Sequence, residues 1–383
     1  MNSPAYCADL RGQVVVFRTD ASLEIGSGHV MRCLTLADAL RQRGAKCIFI
    51  CREHPGNLCD HIESSGFSVH RLPVVKGVHQ ANAYPSPHAL AHAHWLGASW
   101  ESDAEACRST LKKLLPAWLV VDHYALDIRW EVAARAEAKG AEPRLFVIDD
   151  LADRHHDADL LLDQNLGHGA NDYRDLVPDH CQIFTGPQFA LLRPEFAHWR
   201  ETSLTRRADQ RSLERLLISL GGVDKGNVTE QVFDALKNCD LPEKVKITVV
   251  MGTAAPWQDR IRAQALQLPW STEVVVNVND MARRMSEADL AIGAAGSTSW
   301  ERCCLGLPTL MLVLADNQQP IAEALHNAGA ALYLGTPREL HDLASRVATL
   351  QVPAALHSMS EAAAQVTTGE GLTALTDAMC NRD

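Results

Sequence analysis

The stretch Gly293-Ala294-Ala295-Gly296-Ser297-Thr298-Ser299-Trp300-Glu301 joins a short apolar run to a helix-forming segment, with a second apolar run, Thr309 to Val313, beyond Pro308. Small residues let a backbone come close to a ligand. A helix opening at Ser297 or Thr298 leaves its first N–H groups unpaired, and these, with the positive end of the helix, form a seat for a diphosphate. Glu301 follows one turn later, where a carboxylate can accept from both hydroxyls of a ribose. Phosphate donors beside a ribose acceptor are the parts of a nucleotide-sugar site. A plainer reading competes with this. Thr298-x-x-Glu301 also fits a capping box, in which the Glu only closes the helix start. Local sequence leaves both open.

A second candidate is Arg18-Thr19-Asp20-Ala21-Ser22-Leu23-Glu24-Ile25-Gly26-Ser27-Gly28-His29, which follows an apolar run and leads into a helix. It is a poor dinucleotide fingerprint: the third glycine is replaced by Met31, and Gly26 lies far beyond the strand end. His29 falls in the first turn of that helix, whose positive end disfavours imidazolium. A neutral imidazole in a crevice suits a general base, although a single His among 17 is more often structural. Asp122-His123-Tyr124 ends another apolar run, and Leu220-Gly221-Gly222-Val223-Asp224 pairs glycines with a strand end. Each of these, alone, reads more readily as an ordinary polar turn. Leu314-Ala315-Asp316-Asn317-Gln318-Gln319 is a polar loop suited to sugar hydroxyls or amides. The DxD in His155-His156-Asp157-Ala158-Asp159 precedes a strand instead of following one, so a solvated loop is expected and no metal site. No P-loop, HExxH or GxSxG pattern occurs.

These residues need strands and helices to position them. Apolar runs at Val14 to Phe17, Cys47 to Cys51, Leu119 to Asp122, Leu145 to Ile148 and Leu160 to Leu162 alternate with amphipathic stretches. Within His29 to Arg43, Val30, Cys33, Leu34, Ala37 and Leu40 share one helical face. The rhythm restarts at Leu216 to Leu220, Val245 to Val250, Val274 to Val276, Leu290 to Ile292 and Thr309 to Val313. This predicts an α/β fold of two doubly wound, Rossmann-like domains facing a central cleft, with ligands at the carboxyl ends of parallel strands. The basic segment Arg200 to Arg211 is expected to be the linker, giving domains 1–205 and 206–383. The segment Gln351 to Asp383 holds a last helix that either domain, the N-terminal one included, could take. Lys76 to Ser99 is a long loop.

A chain of 383 residues suits two domains, and 46% hydrophobic with 22% charged residues suits a globular protein. A formal net charge of -11 argues against nucleic acid or an anionic membrane as partner. The 11 scattered cysteines form no CxxC pair and read as reduced thiols. No signal peptide and no transmembrane-length run is read, so the cytoplasm is the expected location.

The ordered blocks together resemble the hydrolases of UDP-2,4-diacetamido-2,4,6-trideoxy-β-L-altropyranose, which serve bacterial pseudaminic acid synthesis for flagellin or surface glycans. The resemblance runs from about Val14 to past Asn317. It rests on Asp20-Ala21-Ser22, Gly28-His29-Val30-Met31-Arg32-Cys33, Trp95-Leu96-Gly97-Ala98-Ser99-Trp100, Asp122-His123-Tyr124 and Ile148-Asp149-Asp150-Leu151-Ala152-Asp153-Arg154. Asp163-Gln164-Asn165-Leu166-Gly167, Arg193-Pro194-Glu195-Phe196, Ser219 to Asp224 and Gly296 to Glu301 complete it. The sequence departs at Lys225, where an Asp-Pro-type turn is expected. The resemblance implies a GT-B-like, UDP-releasing hydrolase with UDP held by the C-terminal domain. His29 matches the family's catalytic histidine. Glu301 would bind the ribose, Gly222, Gly296, Ser297 and Thr298 the diphosphate, and Val278 and Asn279 the uracil. Further substrate contacts are expected at Arg18, Asp20, Gly28, Arg32, Asp122, Tyr124, Asn165, Asp224, Asn317 and Gln318. No cofactor or metal is implied, and a monomer is expected. A GT-B glycosyltransferase would keep the same UDP site and admit an acceptor in place of water. A non-catalytic nucleotide-binding protein would bind UDP without turnover.

Overall fold

A computed structural model describes residues 10–74, 90–135, 142–209, 212–253 and 255–380. Most of the expected Lys76–Ser99 loop lies outside the described residues. The chain forms two compact units: Met1–Leu191 together with Gly371–Asp383, and Leu192–Glu370.

The first unit is built on a parallel sheet of β1 (Val14–Thr19), β2 (Lys46–Arg52), β3 (Ser68–Leu72), β4 (Trp118–Asp122), β5 (Arg144–Ile148), β6 (Leu160–Asp163) and β7 (Gln182–Thr185). The strand order is β3-β2-β1-β4-β5-β6-β7. Its central strands are buried on both faces, as continuous apolar runs in a parallel sheet require. Val15 and Phe17 of β1 join one core with Phe49, Val120 and Phe146, while Val16 joins the other with Ile50, Leu119, Val121 and Leu145. The helices are α1 (Gly28–Gln42), α2 (Cys59–Ser64), α3 (Trp100–Leu114), α4 (Ile128–Arg135) and α5 (Ala170–Tyr173). The expected face of α1 is buried: Val30, Cys33, Leu34, Ala37 and Leu40.

The second unit opens with α6 (Pro194–Ala208) and carries β8 (Arg215–Ser219), α7 (Val228–Leu236), β9 (Lys246–Met251), α8 (Gln258–Ala265), β10 (Ser271–Val276), α9 (Met281–Glu287) and β11 (Leu290–Ala294). It continues through α10 (Thr298–Cys304), β12 (Thr309–Leu312), α11 (Gln319–Asn327), β13 (Leu332–Gly335), α12 (Leu343–Leu350) and α13 (Pro353–Val366). Its parallel sheet has the order β10-β9-β8-β11-β12-β13. The chain then returns to the first unit as α14 (Gly371–Cys380), where Trp118 Nε1 donates to the Met379 carbonyl at 3.1 Å and Arg43 pairs with Asp377. The two sheets give the GT-B-like α/β fold.

The expected linker at Arg200 to Arg211 is corrected: most of it is the second half of α6. Arg200 and Arg207 are turned inward. Arg200 donates to the carbonyls of Cys304, Ala364 and Thr367, and buried Arg207 donates to those of Met285, Ala288 and Leu305. These are the open carbonyls at the ends of α9, α10 and α13, which no intrahelical N–H can reach. A boundary at 205/206 would cut through that helix, and the compact units divide at 191/192 instead. Three strands the sequence did not announce, β3, β7 and β13, lie at or near sheet edges, where partial exposure admits His70, Arg71, Gln182 and Tyr333.

The turns after β8 and β9 meet backbone to backbone. A Cβ placed on Gly252 would lie 2.2 Å from the Gly222 carbonyl oxygen, an atom that cannot swing aside. Gly252→Ala is therefore expected to destabilise the second unit by about 1–3 kcal/mol in denaturant unfolding. Gly226→Ala, whose added Cβ meets only a Val228 methyl at 3.5 Å, is the neutral comparison. Equal midpoints for the two variants would show that this close approach carries no constraint.

Candidate active site

In the first unit the strand order reverses between β1 and β4, so the loops leaving their carboxyl ends diverge and open a crevice. Ser22 Oγ accepts from the N–H groups of Glu24 and Ile25, and Gly26, with φ +82°, turns the chain into α1. Gly28 opens that helix and His29 is its second residue. Asp122 is the last residue of β4 and pairs in register with Thr19 of β1. The two meet: His29 Nδ1 lies 2.6 Å from Asp122 Oδ1.

Arg32, one turn along α1, fixes this pair. Its Nε and Nη2 donate to the two Asp122 oxygens at 2.7 Å each, and Nη1 donates to Asp150 Oδ2 at 2.6 Å. Tyr124 OH donates to the same Asp150 oxygen at 2.6 Å. Its ring stands edge-to-face with the imidazole, 4.6 Å between centroids. Trp95 stacks on Tyr124 at 5.7 Å. Burial alone would raise the Asp122 carboxyl, but the Arg32 guanidinium and His29 hold it well below the usual carboxylate range. An ionised Asp122 only accepts, so the nitrogen facing it, Nδ1, carries a proton, and the tautomer this selects has its lone pair on Nε2. That is the form of a general base.

Several residues expected to touch substrate have other work. Arg18 and Asp20 are fully buried beneath the crevice. Arg18 donates to Asp103 through Nε and Nη2 and to Asp20 through Nη1, while Arg52 adds a side-chain bond to Asp103 and a backbone bond to Asp20. His123 Nε2 lies 3.2 Å from the other Asp20 oxygen, and its Nδ1 accepts from the Ala125 N–H. Burial pushes His123 down, so it sits neutral with its proton towards Asp20. Arg18 and Asp20 are thus corrected from ligand contacts to a buried platform. Arg32 and Asp122, also expected as substrate contacts, pair with each other in this structure. Asn165, buried, donates to the Asp150 carbonyl at 3.0 Å and steadies that loop.

The second unit repeats the geometry, with its strand order reversing between β8 and β11. Gly222 follows β8, Gly296, Ser297 and Thr298 follow β11, Val278 and Asn279 follow β10, and Asn317 and Gln318 follow β12. All therefore gather at the carboxyl end of one sheet. Gly221 takes φ +87°. Gln318 accepts from the Leu314 N–H and lies beside Gly296. Val278 is half-buried and Asn279 exposed. Asp224 is a correction: its two oxygens accept from the Val228 and Thr229 N–H groups and the Thr229 hydroxyl, so it caps α7. It does so from φ +43°, a conformation that a following proline would disfavour, which fits Lys225 in place of the expected proline.

The capping-box reading of Glu301 falls, because no side-chain cap closes the start of α10. Thr298 Oγ1 instead accepts from Arg302 Nη1 at 3.1 Å. Glu301 is only 17% exposed, with the nearest cation, Arg193 Nη2, at 3.8 Å. Burial pushes its carboxyl up to about 7. Arg302 is a residue the sequence did not reveal. Its guanidinium is buried under the glycine turn, donating to the Ala294 carbonyl at 2.8 Å and to Ser299 Oγ at 3.0 Å, and burial pushes it down to about 10. Gly293 makes the space: a Cβ there would lie 2.6 Å from Arg302 Nη1. Gly293 serves that side chain, where the sequence had pointed to ligand approach.

Two outcomes follow. Asp122→Asn offers Nδ1 an amide that can donate, which favours the wrong tautomer, so turnover is expected to fall roughly 10²–10⁴-fold. It also leaves Arg32 short of a counter-charge, destabilising the unit by about 3–5 kcal/mol. Full activity in a folded Asp122→Asn protein would remove Asp122 from the site. Glu301, with its folded-state pKa raised, holds its proton where the unfolded chain has lost it. It therefore lowers stability as pH rises from its ordinary value towards about 7. Glu301→Gln is expected to melt higher than wild type at about pH 8 and alike at about pH 4, while UDP binds it about 1.5–3 kcal/mol more weakly. A lower unliganded melting point at about pH 8 would mean that Glu301 is a structural pair.

Residues 220–372 match the glycosyltransferase family 28 C-terminal domain. The spore coat polysaccharide biosynthesis protein SpsG of Bacillus subtilis is 34% identical over 163 residues, 42% of this chain and less than half, 46%, of that protein. The UDP-2,4-diacetamido-2,4,6-trideoxy-β-L-altropyranose hydrolase of Campylobacter jejuni is 25% identical over 315 residues, 82% of this chain and 97% of that one. Among solved structures, MurG of Acinetobacter baumannii superposes with a TM-score of 0.64 at 19% identity, covering 96% of this chain and 98% of its own. The chain therefore has the GT-B-like fold and is similar, along most of its length, to the altropyranose hydrolase that its motifs resemble.

Proposed function

We propose that this protein hydrolyses a UDP-linked 2,4-diacetamido-2,4,6-trideoxy sugar of the altropyranose type to free sugar and UDP, a step towards pseudaminic acid. The observation that carries the reading is the His29–Asp122 contact of 2.6 Å, which leaves Nε2 as a base at a strand switch point. The similarity to the Campylobacter jejuni hydrolase supports the substrate class.

Water attacks the anomeric carbon as the bond from that carbon to the UDP oxygen breaks. His29 Nε2 takes the proton of the attacking water. UDP is already a good leaving group, and its charge would be met by N–H groups of the turns at Gly222 and Gly296 to Thr298, with the buried Arg302 cation behind the second turn. Glu301 would accept from the ribose. Direct displacement inverts the anomeric configuration. A second reading has a specific observation behind it: the match of residues 220–372 to a glycosyltransferase domain supports transfer of the sugar to an acceptor. Incubation with UDP-sugar alone separates the two, because a transferase releases little UDP until an acceptor is supplied. The same assay excludes a purely nucleotide-binding protein if UDP appears.

His29→Asn retains hydrogen bonding but removes the base, so turnover is expected to fall roughly 10²–10⁴-fold with UDP affinity nearly unchanged. In water labelled with the heavy oxygen isotope, label is expected on the released sugar. Label on the phosphate would mean P–O cleavage and overturn the mechanism.

A further inference from the structure

Glu301 stands in an unequal charge cluster. Arg193, the residue that caps the start of α6, extends Nη2 to 3.8 Å from Glu301 Oε1 and Nη1 to 2.9 Å from Glu195 Oε1. That Glu195 oxygen is buried with no hydrogen bond of good geometry. The charged groups that act on Glu301 are Arg193 and Glu195 from the α6 side and Arg302 on its own helix. Arg302 is turned back towards Ala294, Thr298 and Ser299 and makes no ion pair with Glu301. One guanidinium is thus shared between two carboxylates, and the nearer is not the one proposed to meet the ribose.

We propose that Arg193 is a positioning residue that keeps Glu301 ionised and aimed as a ribose acceptor, and that Glu195 competes for it and sets how much of that charge Glu301 receives. The inference rests on the reading of Glu301 as the ribose-binding residue. A carboxylate accepts from two hydroxyls only when it has lost its proton, so nucleotide binding through it must strengthen with pH. A cation at 3.8 Å favours the ionised form and brings that rise to lower pH. A carboxylate that draws the cation away does the opposite. The arrangement makes UDP affinity adjustable by a residue that does not itself touch UDP.

The test is UDP binding by calorimetry between about pH 5 and about pH 9 for wild type, Arg193→Gln, Arg193→Lys, Glu195→Gln and Glu301→Gln. UDP's own terminal phosphate titrates near the low end of this range, and Glu301→Gln provides that background. Wild-type affinity, relative to this background, is expected to rise through about pH 7. Arg193→Gln should shift the rise upward, giving roughly tenfold weaker binding near neutrality and convergence with wild type at the alkaline end. Arg193→Lys should restore most of the shift, and Glu195→Gln should move the rise downward. An unmoved midpoint in Arg193→Gln, or a loss equal at every pH, overturns the proposal while the ribose reading stands. Wild-type affinity retained by Glu301→Gln at the alkaline end overturns the ribose reading and the proposal with it.

Discussion

The first unit is organised around one short contact, His29 Nδ1 to Asp122 Oδ1 at 2.6 Å. A carboxylate with no exposed surface is unfavourable unless its charge is matched, and Arg32 matches it with two bonds. Arg32 is itself buried, so Asp150 takes its remaining nitrogen, and Tyr124 and Asn165 hold Asp150 in place. Each group is needed because the one before it was removed from water. The chain of pairings ends with an imidazole whose orientation is fixed by three elements: α1, the end of β4, and the loop after β5.

A second ionic layer, Arg18, Asp20, Asp103 and Arg52, lies under the first and never reaches solvent. Apolar residues of similar volume would fill that space at less desolvation cost. What the charged layer adds is direction. Asp20 accepts from the backbone of Arg52 and faces His123, whose proton is forced towards it by the Ala125 N–H on the opposite nitrogen. The loops after β1, β2 and β4 are thereby tied to one another at the switch point. In the second unit a lone guanidinium, Arg302, occupies the corresponding depth beneath the turn after β11, and its charge is answered by a carbonyl and hydroxyls instead of a carboxylate.

The central strands were legible because parallel strands buried on both faces read as continuous apolar runs, and the buried face of α1 was legible from its spacing. Of the edge strands only β10 was, through Val274 to Val276; β3, β7 and β13 were not, since residues such as half-exposed His70 and exposed Gln182 carry no apolar signal. The basic run in α6 misled for a physical reason: its arginines cap other helices far along the chain, and charge alone resembles a solvated linker. The same limit applies at the site. His29, Asp122 and Glu301 stood out by position at element ends. Their supports did not, because Asp103 meets Arg18 across 85 residues and Arg302 is defined by a glycine that makes room for it. Arg18, Asp20 and Asp224, expected as ligand contacts, are engaged in buried pairs and a helix start, since a polar residue that faces a ligand and one that supports a loop look alike in sequence.

What Asp122 does to His29 is select the tautomer with its proton on Nδ1 and its lone pair on Nε2. Nitrogen-15 chemical shifts of the histidine rings at mildly alkaline pH, with His29 assigned by its loss in His29→Asn, read this directly. A protonated Nδ1 and an unprotonated Nε2 are expected in the wild-type protein, and a shift towards the other tautomer in Asp122→Asn. A wild-type His29 with its proton on Nε2 would contradict this, because that ring could not accept a proton from water at the nitrogen left free by Asp122.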